Sequence, residues 1–375
     1  MRVGIPTEIK DSEDRVAATP AMVDALRRRG HEVVVEAGAG EGSRITDADF
    51  SDAGAEILTT ADAVWERSDL LLKVKEPIGA EYSRMRRDQV LFTFLHLAAS
   101  RACTDAILAS GTTAIAYETV RLPDRTLPLL APMSEVAGRL SIQVGAHHLM
   151  RPAGGRGTLL GGVPGTRKAK VVVIGGGVAG ESAAANAIGL GADVTVVDVS
   201  LPRLRQLEAR FGGLIQTRHS SPLEISAQLV DADLVIGSVL IPGAAAPKLV
   251  TDEMVAKMKP GSVLVDIAID QGGCFEGSRT TTHREPTFPV HQSLYYCVGN
   301  MPGAVPETST MALTNATAPY VLALADKGWR GAIQADPALA GGLTAHEGLL
   351  TSAEVAAAHS LPYVSVAEAL EPVTV

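Results

Sequence analysis

At 375 residues, the chain is longer than one ordinary domain of roughly 100–200 residues, so we expect two domains. Hydrophobic residues make up 46% and charged residues 20% of the sequence, a balance that excludes an intrinsically disordered protein. The formal net charge is −9 and no basic run is present, which argues against a nucleic acid as partner, because a surface that binds phosphates must be basic.

The N-terminal part of the sequence alternates predicted strands and helices. Strands are predicted at residues 2–6, 31–36, 69–75, 89–95 and 113–117. Between the first two strands, Thr19 and Pro20 mark the start of a helix that carries Met22, Val23 and Leu26 on one face and ends at Gly30. Apolar strands separated by helices are typical of a parallel sheet that is covered on both faces.

The second half of the chain repeats this alternation. A long helix at 134–150 leads to a glycine-rich loop, which we interpret as a domain junction. Further strands are predicted at 170–174, 192–197, 234–237 and 262–265, and a second long helix follows at about 308–326. The tail is too small to fold alone, and its strong helix signals lie only near 352–358. We therefore expect it to pack against the first domain, so that this domain is discontinuous and two long helices join the domains.

The cysteines and the N-terminal sequence bear on the location of the protein. Cys103, Cys274 and Cys297 are far apart and fit no zinc spacing, so we expect reduced thiols in a cytoplasmic protein. Charges at Glu8 and Lys10 precede any long apolar segment, so no signal peptide is predicted. The charge-free run in the second long helix contains polar residues and a proline, which predicts a buried helix rather than a membrane span.

A dinucleotide-binding fingerprint follows the strand at 170–174. Gly175, Gly177 and Gly180 have the G-x-G-x-x-G spacing that permits a tight turn, close approach of the backbone to a pyrophosphate, and close helix–strand packing. Asp198 ends the next strand, where a carboxylate accepts hydrogen bonds from ribose hydroxyls and repels a 2′-phosphate. The pattern predicts a Rossmann domain that binds NAD rather than NADP. Arg203 is near enough to leave some use of NADP open, and a purely structural glycine turn is the alternative interpretation.

Four ionisable residues lie where predicted strands end. Arg15 follows the first strand, Lys75 and His96 end two later strands, and Asp270 follows a strand of the nucleotide-binding domain. In an open parallel sheet, ligands bind beyond the carboxyl ends of the strands. A guanidinium and an amine can hold a carboxylate and polarise a carbonyl, and an imidazole can transfer protons near pH 7. We therefore interpret the four as a candidate site.

Each of these residues has a structural alternative. Arg15 could be a solvated loop residue, Lys75 could pair at the surface with the glutamate that follows it, and His96 could be a core histidine. Asp266 competes with Asp270 for the role of site carboxylate, and it could instead cap backbone amides. The other histidines lack ligand spacing, so no metal site is predicted.

Seven short blocks of the sequence carry a family resemblance. They are RVGIPTE at 2–8, RVA at 15–17, KVKEP at 73–77, FLHLA at 94–98, APMSEVAGR at 131–139, DIAIDQGG at 266–273 and NMPGAVP at 300–306. They span nearly the whole chain and closely resemble, in the same order, the L-alanine dehydrogenase family. The resemblance implies an α/β fold of two doubly wound domains and a homohexamer. A discontinuous, Rossmann-like catalytic domain (1–130 and 307–375) would hold the NAD-binding Rossmann domain (131–306) between its parts.

The same resemblance implies an activity and residue roles. The activity is the reversible oxidative deamination of L-alanine to pyruvate and ammonia, with NAD as the hydride acceptor. By position, Arg15 and Lys75 would hold the 2-oxo acid, His96 would be the catalytic acid–base, and Asp270 its partner on the cofactor side. The residues implied to line the substrate and nicotinamide pocket are Leu130, Met133 and Asn300. The residues implied as cofactor contacts are Ser134, Gly175, Gly177, Val178, Gly180, Asp198, Arg203, Ser220, Val239, Leu240, Ile267, Asp270 and Met301.

Three other functions are alternatives to this one. They are the nucleotide-binding subunit of a proton-translocating transhydrogenase, an opine-type reductase with a larger pocket, and a catalytically silent NAD-binding regulator. Lys75 and His96 favour the amino-acid enzyme, because hydride transfer between two nucleotides needs neither a carboxylate clamp nor a histidine.

Three positions depart from the family pattern, namely Gly299, Glu307 and Met311, and none of them removes a catalytic group.

Overall fold

A computed structural model describes residues 1–239 and 246–371 of the chain. The strands, in chain order, are β1 (Arg2–Ile5), β2 (Glu32–Glu36), β3 (Glu56–Leu58), β4 (Leu70–Leu72), β5 (Val90–Thr93), β6 (Thr113–Ala116), β7 (Lys170–Ile174), β8 (Asp193–Asp198), β9 (Ile215–His219), β10 (Leu234–Gly237), β11 (Val263–Asp266), β12 (Thr287–Val290), β13 (Ser293–Tyr296), β14 (Leu343–His346) and β15 (Leu349–Leu350). The α-helices are α1 (Pro20–Arg28), α2 (Asp47–Asp52), α3 (Ala61–Arg67), α4 (Arg101–Ser110), α5 (Ala131–His148), α6 (Val178–Gly189), α7 (Leu201–Phe211), α8 (Pro222–Val230), α9 (Asp252–Ala256), α10 (Pro306–Ala335), α11 (Pro337–Ala340), α12 (Ala353–His359) and α13 (Val366–Leu370).

The first compact unit comprises residues 1–133 and the chain from Val305 onward. Its sheet has the strand order β15-β14-β6-β5-β4-β1-β2-β3, in which β14 pairs antiparallel with both β15 and β6 and the other pairs are parallel. The tail therefore packs on the first unit, as expected, but it does so by adding two strands that the sequence did not indicate. Such short strands carry too little periodicity to be recognised.

The second compact unit comprises residues 134–304, and its sheet has the order β12-β13-β11-β10-β7-β8-β9. All its pairs are parallel except β12 with β13. β7 lies between β8 and β10, so the chain moves to opposite sides of β7 as it proceeds. Such a reversal of strand order creates a crevice at the carboxyl end of the central strands. The predicted α/β class, with two doubly wound sheets, is confirmed.

The two long helices lie next to the points where the chain passes from one unit to the other. α5 begins at Ala131, three residues before the predicted start, and the passage falls within its first turn. α10 begins at Pro306, directly after the second passage, and Gly328, with φ 68°, interrupts its helical geometry. Proline at the first position suits a helix start because its missing N–H would have no partner there.

Each sheet has its own buried core. In the first unit the core includes Trp65, Leu71 and Leu91, and in the second it includes Val235 and Phe275, all at most 1% exposed. α1 turns the predicted apolar face of Met22, Val23 and Leu26 inward. Over residues 1–239 and 246–371, no helix is both long and apolar enough to cross a membrane.

Candidate active site

The glycine turn between β7 and α6 has the geometry that the fingerprint predicts. Gly175 has φ 96°, a conformation that disfavours any residue with a Cβ. A Cβ on Gly180 would lie 1.8 Å from the carbonyl oxygen of Gly175, so only glycine permits this approach of helix to turn. At Gly177, by contrast, a Cβ would meet nothing within 4 Å. The turn is thus closed on its inner side and open beside the start of α6 at Val178, where an anion can reach the backbone N–H groups.

Asp198 faces this turn from the end of β8. Its carboxylate accepts the N–H of Gly176 at 2.7 Å and the N–H of Ser200 at 2.7 Å. Arg203 is engaged by protein groups, because its Nε donates to the carbonyl of Gly176 at 2.6 Å and its Nη2 pairs with Glu181. The half-buried Asp198 therefore lies at the turn, and the guanidinium of Arg203 is hydrogen-bonded to the same turn and to Glu181.

Two further cofactor candidates adjoin the same turn. The N–H of Ser220 donates to the carbonyl of Asp198 at 2.9 Å, which places Ser220 at the end of the neighbouring strand. A Cβ on Gly175 would lie 3.0 Å from Cγ2 of Val239, so Val239 borders the turn from the end of β10. Leu240, also predicted as a contact, lies outside the described residues.

Ser134 approaches the start of α6 from α5. Gly138, one turn further along α5, packs so closely on α6 that a Cβ there would lie 2.1 Å from the carbonyl oxygen of Ala179. Since residues four apart share a helix face, Ser134 lies on the side of α5 that faces the start of α6.

Asp270 and Asn300 lie together in the second unit, in the segments that follow β11 and β13. β11 ends at Asp266, so Asp270 lies in a 3-10 turn, Ile267–Gln271, rather than directly after the strand. The exposed carboxylate of Asp270 accepts the N–H of Asn300 at 3.3 Å, and Asn300 has φ 56°. An alanine at Gly299 would place its Cβ 3.1 Å from Oδ1 of Asp270, so the glycine gives this carboxylate room.

Ile267, Met301 and Asp266 lie close in the chain to Asp270 and Asn300. Ile267 is half-buried and opens the turn, and Met301 is buried at the start of the 3-10 turn Met301–Ala304. Asp266, the competing carboxylate, is fully buried and accepts backbone N–H groups. The amide-capping alternative is therefore the correct one for Asp266.

Lys75 lies in a segment that a buried glutamate holds. β4 ends at Leu72, earlier than predicted: the N–H of Lys73 still donates to the carbonyl of Phe92 in β5, but the next two N–H groups bond to the side chain of Glu8 instead of a strand. Oε1 of Glu8 accepts the N–H of Val74 at 2.5 Å, and Oε2 accepts the N–H of Lys75 at 3.4 Å. Lys75 is only 8% exposed.

A buried ion triad supports this segment. Nζ of Lys73 lies 2.9 Å from Oε2 of Glu8 and 2.9 Å from Oε1 of Glu81, and all three side chains are at most 2% exposed. Burial raises the pKa of Glu8, and Lys73 offsets this rise only in part. Burial alone would lower the pKa of Lys73, but the two carboxylates outweigh it and raise that pKa. The triad holds Lys73 as a cation.

Lys73→Met is expected to lower the free energy of unfolding by about 3–5 kcal/mol at pH 7, because two carboxylates then lie buried without their cation. The loss is expected to shrink toward pH 5, since protonation of Glu8 removes part of the buried charge. Urea unfolding at both pH values, with the exposed Lys327→Met as control, measures the effect. An equal loss at the two pH values would contradict this explanation.

Glu76, the alternative surface partner of Lys75, is half-buried and belongs to a different ion pair. Its carboxylate pairs with Lys10. Burial raises the pKa of Glu76, but Lys10, with smaller contributions from His96 and Lys75, lowers it overall. Lys75 and His96 therefore share Glu76 as a neighbour.

His96 lies beyond the end of β5, and a hydrogen bond from its backbone N–H to a side chain holds it in place. β5 ends at Thr93, and the N–H groups of Leu95 and His96 both donate to the carboxylate of Glu118, at 3.2 and 2.7 Å. His96 has φ 47°, a left-handed conformation that is uncommon for residues other than glycine. Its half-buried ring stacks on Phe94 with 5.8 Å between ring centres, so the histidine is not a core residue.

Arg15 is a buried residue, and the solvated-loop alternative is wrong. It is 2% exposed, and Nε and Nη2 donate to the two carboxylate oxygens of Glu13 at 2.6 and 2.5 Å. Nη1 lies 3.0 Å from Sδ of the buried Met133. Leu130 is half-buried directly before α5. Glu13 thus fixes the guanidinium in a bidentate pair, with Met133 beside it.

Sequence reasoning missed the acidic residues that hold the candidates in place. They are Glu8, Glu13, Glu81 and Glu118. One signal was available, because Lys73 continues an apolar strand and a buried lysine requires a carboxylate partner. Over residues 1–239 and 246–371, no cluster of three or more His, Cys, Asp or Glu residues could hold a metal ion.

Family comparisons match nearly the whole chain. Residues 4–137 match the N-terminal domain and residues 141–353 the C-terminal domain of alanine dehydrogenase/PNT. The chain is 66% identical over 370 residues to an alanine dehydrogenase from Mycobacterium tuberculosis (strain CDC 1551 / Oshkosh), covering 99% of this chain and 100% of the relative. It is 54% identical to an alanine dehydrogenase from Halomonas elongata, covering 98% and 99%.

Solved structures of the same family are also similar to this chain. A structure named L-alanine dehydrogenase superimposes with a TM-score of 0.92 at 49% identity, covering 96% of this chain and 99% of that one. A transhydrogenase from Sinorhizobium meliloti superimposes with a TM-score of 0.80 at 28% identity, covering 94% and 99%. The similarity in sequence and in structure is thus greater to the former.

Proposed function

Since the chain belongs to the alanine dehydrogenase/PNT family, we propose that it catalyses the reversible, NAD-dependent oxidative deamination of L-alanine to pyruvate and ammonia. The identity of 66% over the full length of a relative with this name supports the proposal. Within the molecule, one observation carries it. Lys75 and His96 share the neighbour Glu76, and the same unit holds a buried, bidentately fixed Arg15, a set of groups that suits a substrate with a carboxylate and an exchangeable proton.

In this proposal the first unit binds the substrate. Arg15 and Lys75 hold the carboxylate and the oxygen of the 2-oxo acid, and Lys75 stabilises negative charge as it develops on that oxygen. His96 takes and returns protons as water adds and ammonia leaves. Met133 limits the space beside Arg15, which favours a small side chain, and the family resemblance assigns Leu130 to the same pocket.

The second unit holds the cofactor. NAD, when bound, accepts the hydride from Cα of the substrate. The open side of the glycine turn at Gly177 and the N–H groups at the start of α6 suit its pyrophosphate, and Asp198 suits its ribose hydroxyls. Asp270, which accepts the N–H of Asn300 in this unit, has the proposed role of orienting water and favouring a cationic intermediate.

Asp198→Gly is expected to raise the ratio of kcat/KM with NADP to that with NAD by about 10-fold or more. The reason is that two like charges about 4 Å apart repel by ~1 kcal/mol in water and ~4 kcal/mol near a protein surface. Initial rates with both cofactors measure the ratio. Asp193→Ala, at the exposed opposite end of β8, is the matched control and should leave the ratio unchanged. A wild-type enzyme that used the two cofactors equally would contradict this role of Asp198.

A spectrophotometric assay tests the reaction itself. Enzyme, NAD and L-alanine are mixed, and NADH formation is followed from neutral to alkaline pH. The rate is expected to rise with pH, because the amine must lose its proton before the hydride leaves. Absence of NADH with L-alanine, together with turnover of a bulkier amino acid, would refute the assignment.

We also propose that the enzyme is a cytoplasmic homohexamer. The family resemblance supports the assembly, and three buried, unoxidised cysteines support a reducing compartment. Burial raises the pKa of the Cys103 thiol to about 12, so it is protonated and unreactive at neutral pH. Light scattering after size-exclusion chromatography is expected to give the mass of six chains.

A further inference from the structure

The carboxylate of Asp266 lies between two segments that carry candidate site residues. Asp266 ends β11 and is fully buried, at 0% exposed. The turn that begins directly after it carries Asp270. β13, the parallel neighbour of β11, leads to Asn300, and the two strands are in register, with Val265 opposite Tyr296.

This carboxylate closes the loop that contains Asp270 at both ends. Oδ1 accepts the N–H of Ala268 at 3.1 Å, at the start of the loop. Oδ2 accepts the N–H of Cys274 at 3.0 Å and that of Phe275 at 3.2 Å, where the loop returns. A Cβ on Gly273, which has φ 75°, would lie 2.6 Å from Oδ2. The loop therefore wraps around one buried charge.

Ser278 links this charge to the segment before Asn300. Its hydroxyl donates to Oδ2 of Asp266 at 2.6 Å, a length typical of strong hydrogen bonds to a charged acceptor. The thiol of Cys297, three residues before Asn300, donates to the Ser278 oxygen at 3.8 Å. The N–H of Asn300 in turn donates to Asp270 at 3.3 Å. These contacts form a ring that joins both segments.

We propose that Asp266 and Ser278 are positioning residues, which set the placement of Asp270 relative to Asn300 and thereby the rate of the reaction. The inference rests on the proposed function, because Asp270 and Asn300 act on the substrate and cofactor only there. A carboxylate that accepts several N–H groups in a buried place cannot move without losing charged hydrogen bonds. The buried carboxylate of Asp266 therefore determines where Asp270 and Asn300 lie.

Ser278→Ala tests the proposal by removing the bridging hydroxyl without altering Asp270 or Asn300. Its kcat is expected to fall about 10-fold, since a displacement of about 1 Å can reduce a rate by up to about 10²-fold. In the Asp270→Asn background the same change is expected to reduce kcat by less than about 2-fold, because coupled residues are not additive. Ser278→Thr keeps the hydroxyl and should restore the rate.

Ser262→Ala is the matched control for lost stability. Ser262 is a buried serine of the same unit, whose hydroxyl donates to the carbonyl of Lys259 at 2.7 Å and that of Ala232 at 3.1 Å. Its removal should lower Tm but not kcat. An equal fall of kcat in this control, or full additivity with Asp270→Asn, would overturn the proposal.

Hydrogen–deuterium exchange gives a readout that does not require activity. In the protein without cofactor, amides at 267–278 should exchange faster in Ser278→Ala than in the wild type, and at the wild-type rate in Ser278→Thr. Unchanged exchange in Ser278→Ala overturns the positioning role even if the wild type oxidises alanine. A wild type without activity on L-alanine refutes the proposed function instead, so the two failures are distinguishable.

Discussion

His96→Ala is expected to lower kcat for L-alanine by about 10²- to 10⁴-fold, the range typical of a general acid–base group. The ring is half-buried and packs on Phe94, and the backbone of His96 is held by Glu118, so alanine removes the imidazole while the main chain stays fixed. NADH affinity should be unchanged, because the glycine turn lies in the other compact unit. Steady-state rates and a fluorescence titration with NADH measure the two quantities.

The control for this variant is His147→Ala, which alters an exposed histidine on α5 and should keep the wild-type rate. Added imidazole is expected to restore part of the activity of His96→Ala, because it can occupy the vacated space and transfer protons. Near-normal turnover without imidazole would mean that His96 is only a structural residue.

Lys75→Ala is expected to lower kcat by about 10²- to 10³-fold, the effect of removing one group that stabilises a developing negative charge. The KM for pyruvate should rise as well, since Lys75 also holds the bound substrate. Lys75→Arg should restore little activity, because a planar guanidinium does not replace a compact ammonium. Rates in both reaction directions provide the measurement.

Lys327→Ala is the matched control for Lys75, since Lys327 is an exposed lysine of the same compact unit. It should leave kcat and KM unchanged. A Lys75→Ala enzyme with a raised KM but a normal kcat would limit Lys75 to ground-state binding and refute its role in charge stabilisation.

The local pattern of apolar residues was sufficient to predict most of the secondary structure. The apolar face of Met22, Val23 and Leu26 predicted α1, and the apolar run before Gly175 predicted β7. Local pattern failed where side chains compete with strand pairing. β4 and β5 stop early because Glu8 and Glu118 take the N–H groups that would continue each strand.

Some residues of the candidate site could likewise be predicted from the sequence, and others could not. Lys75 and His96 could be chosen from sequence because a charged or polar residue at the end of an apolar strand is unusual. Glu8 could not, because its bonds reach residues 66 and 67 positions further along the chain. The same holds for the contact between Arg15 and Met133, 118 positions apart.

The sequence by itself determined the α/β class, the glycine turn, the carboxylate at Asp198 and the family, because each of these depends on residues close together in the chain or on its overall order. The tertiary structure alone decided that Arg15 is buried on Glu13, that Lys73 lies in an ion triad, and that Asp266 is buried on backbone amides while Asp270 stays exposed. It also decided that the tail adds β14 and β15 to the first sheet. The physical reason is that burial and partner choice depend on distances between segments, and these exist only once the chain has folded.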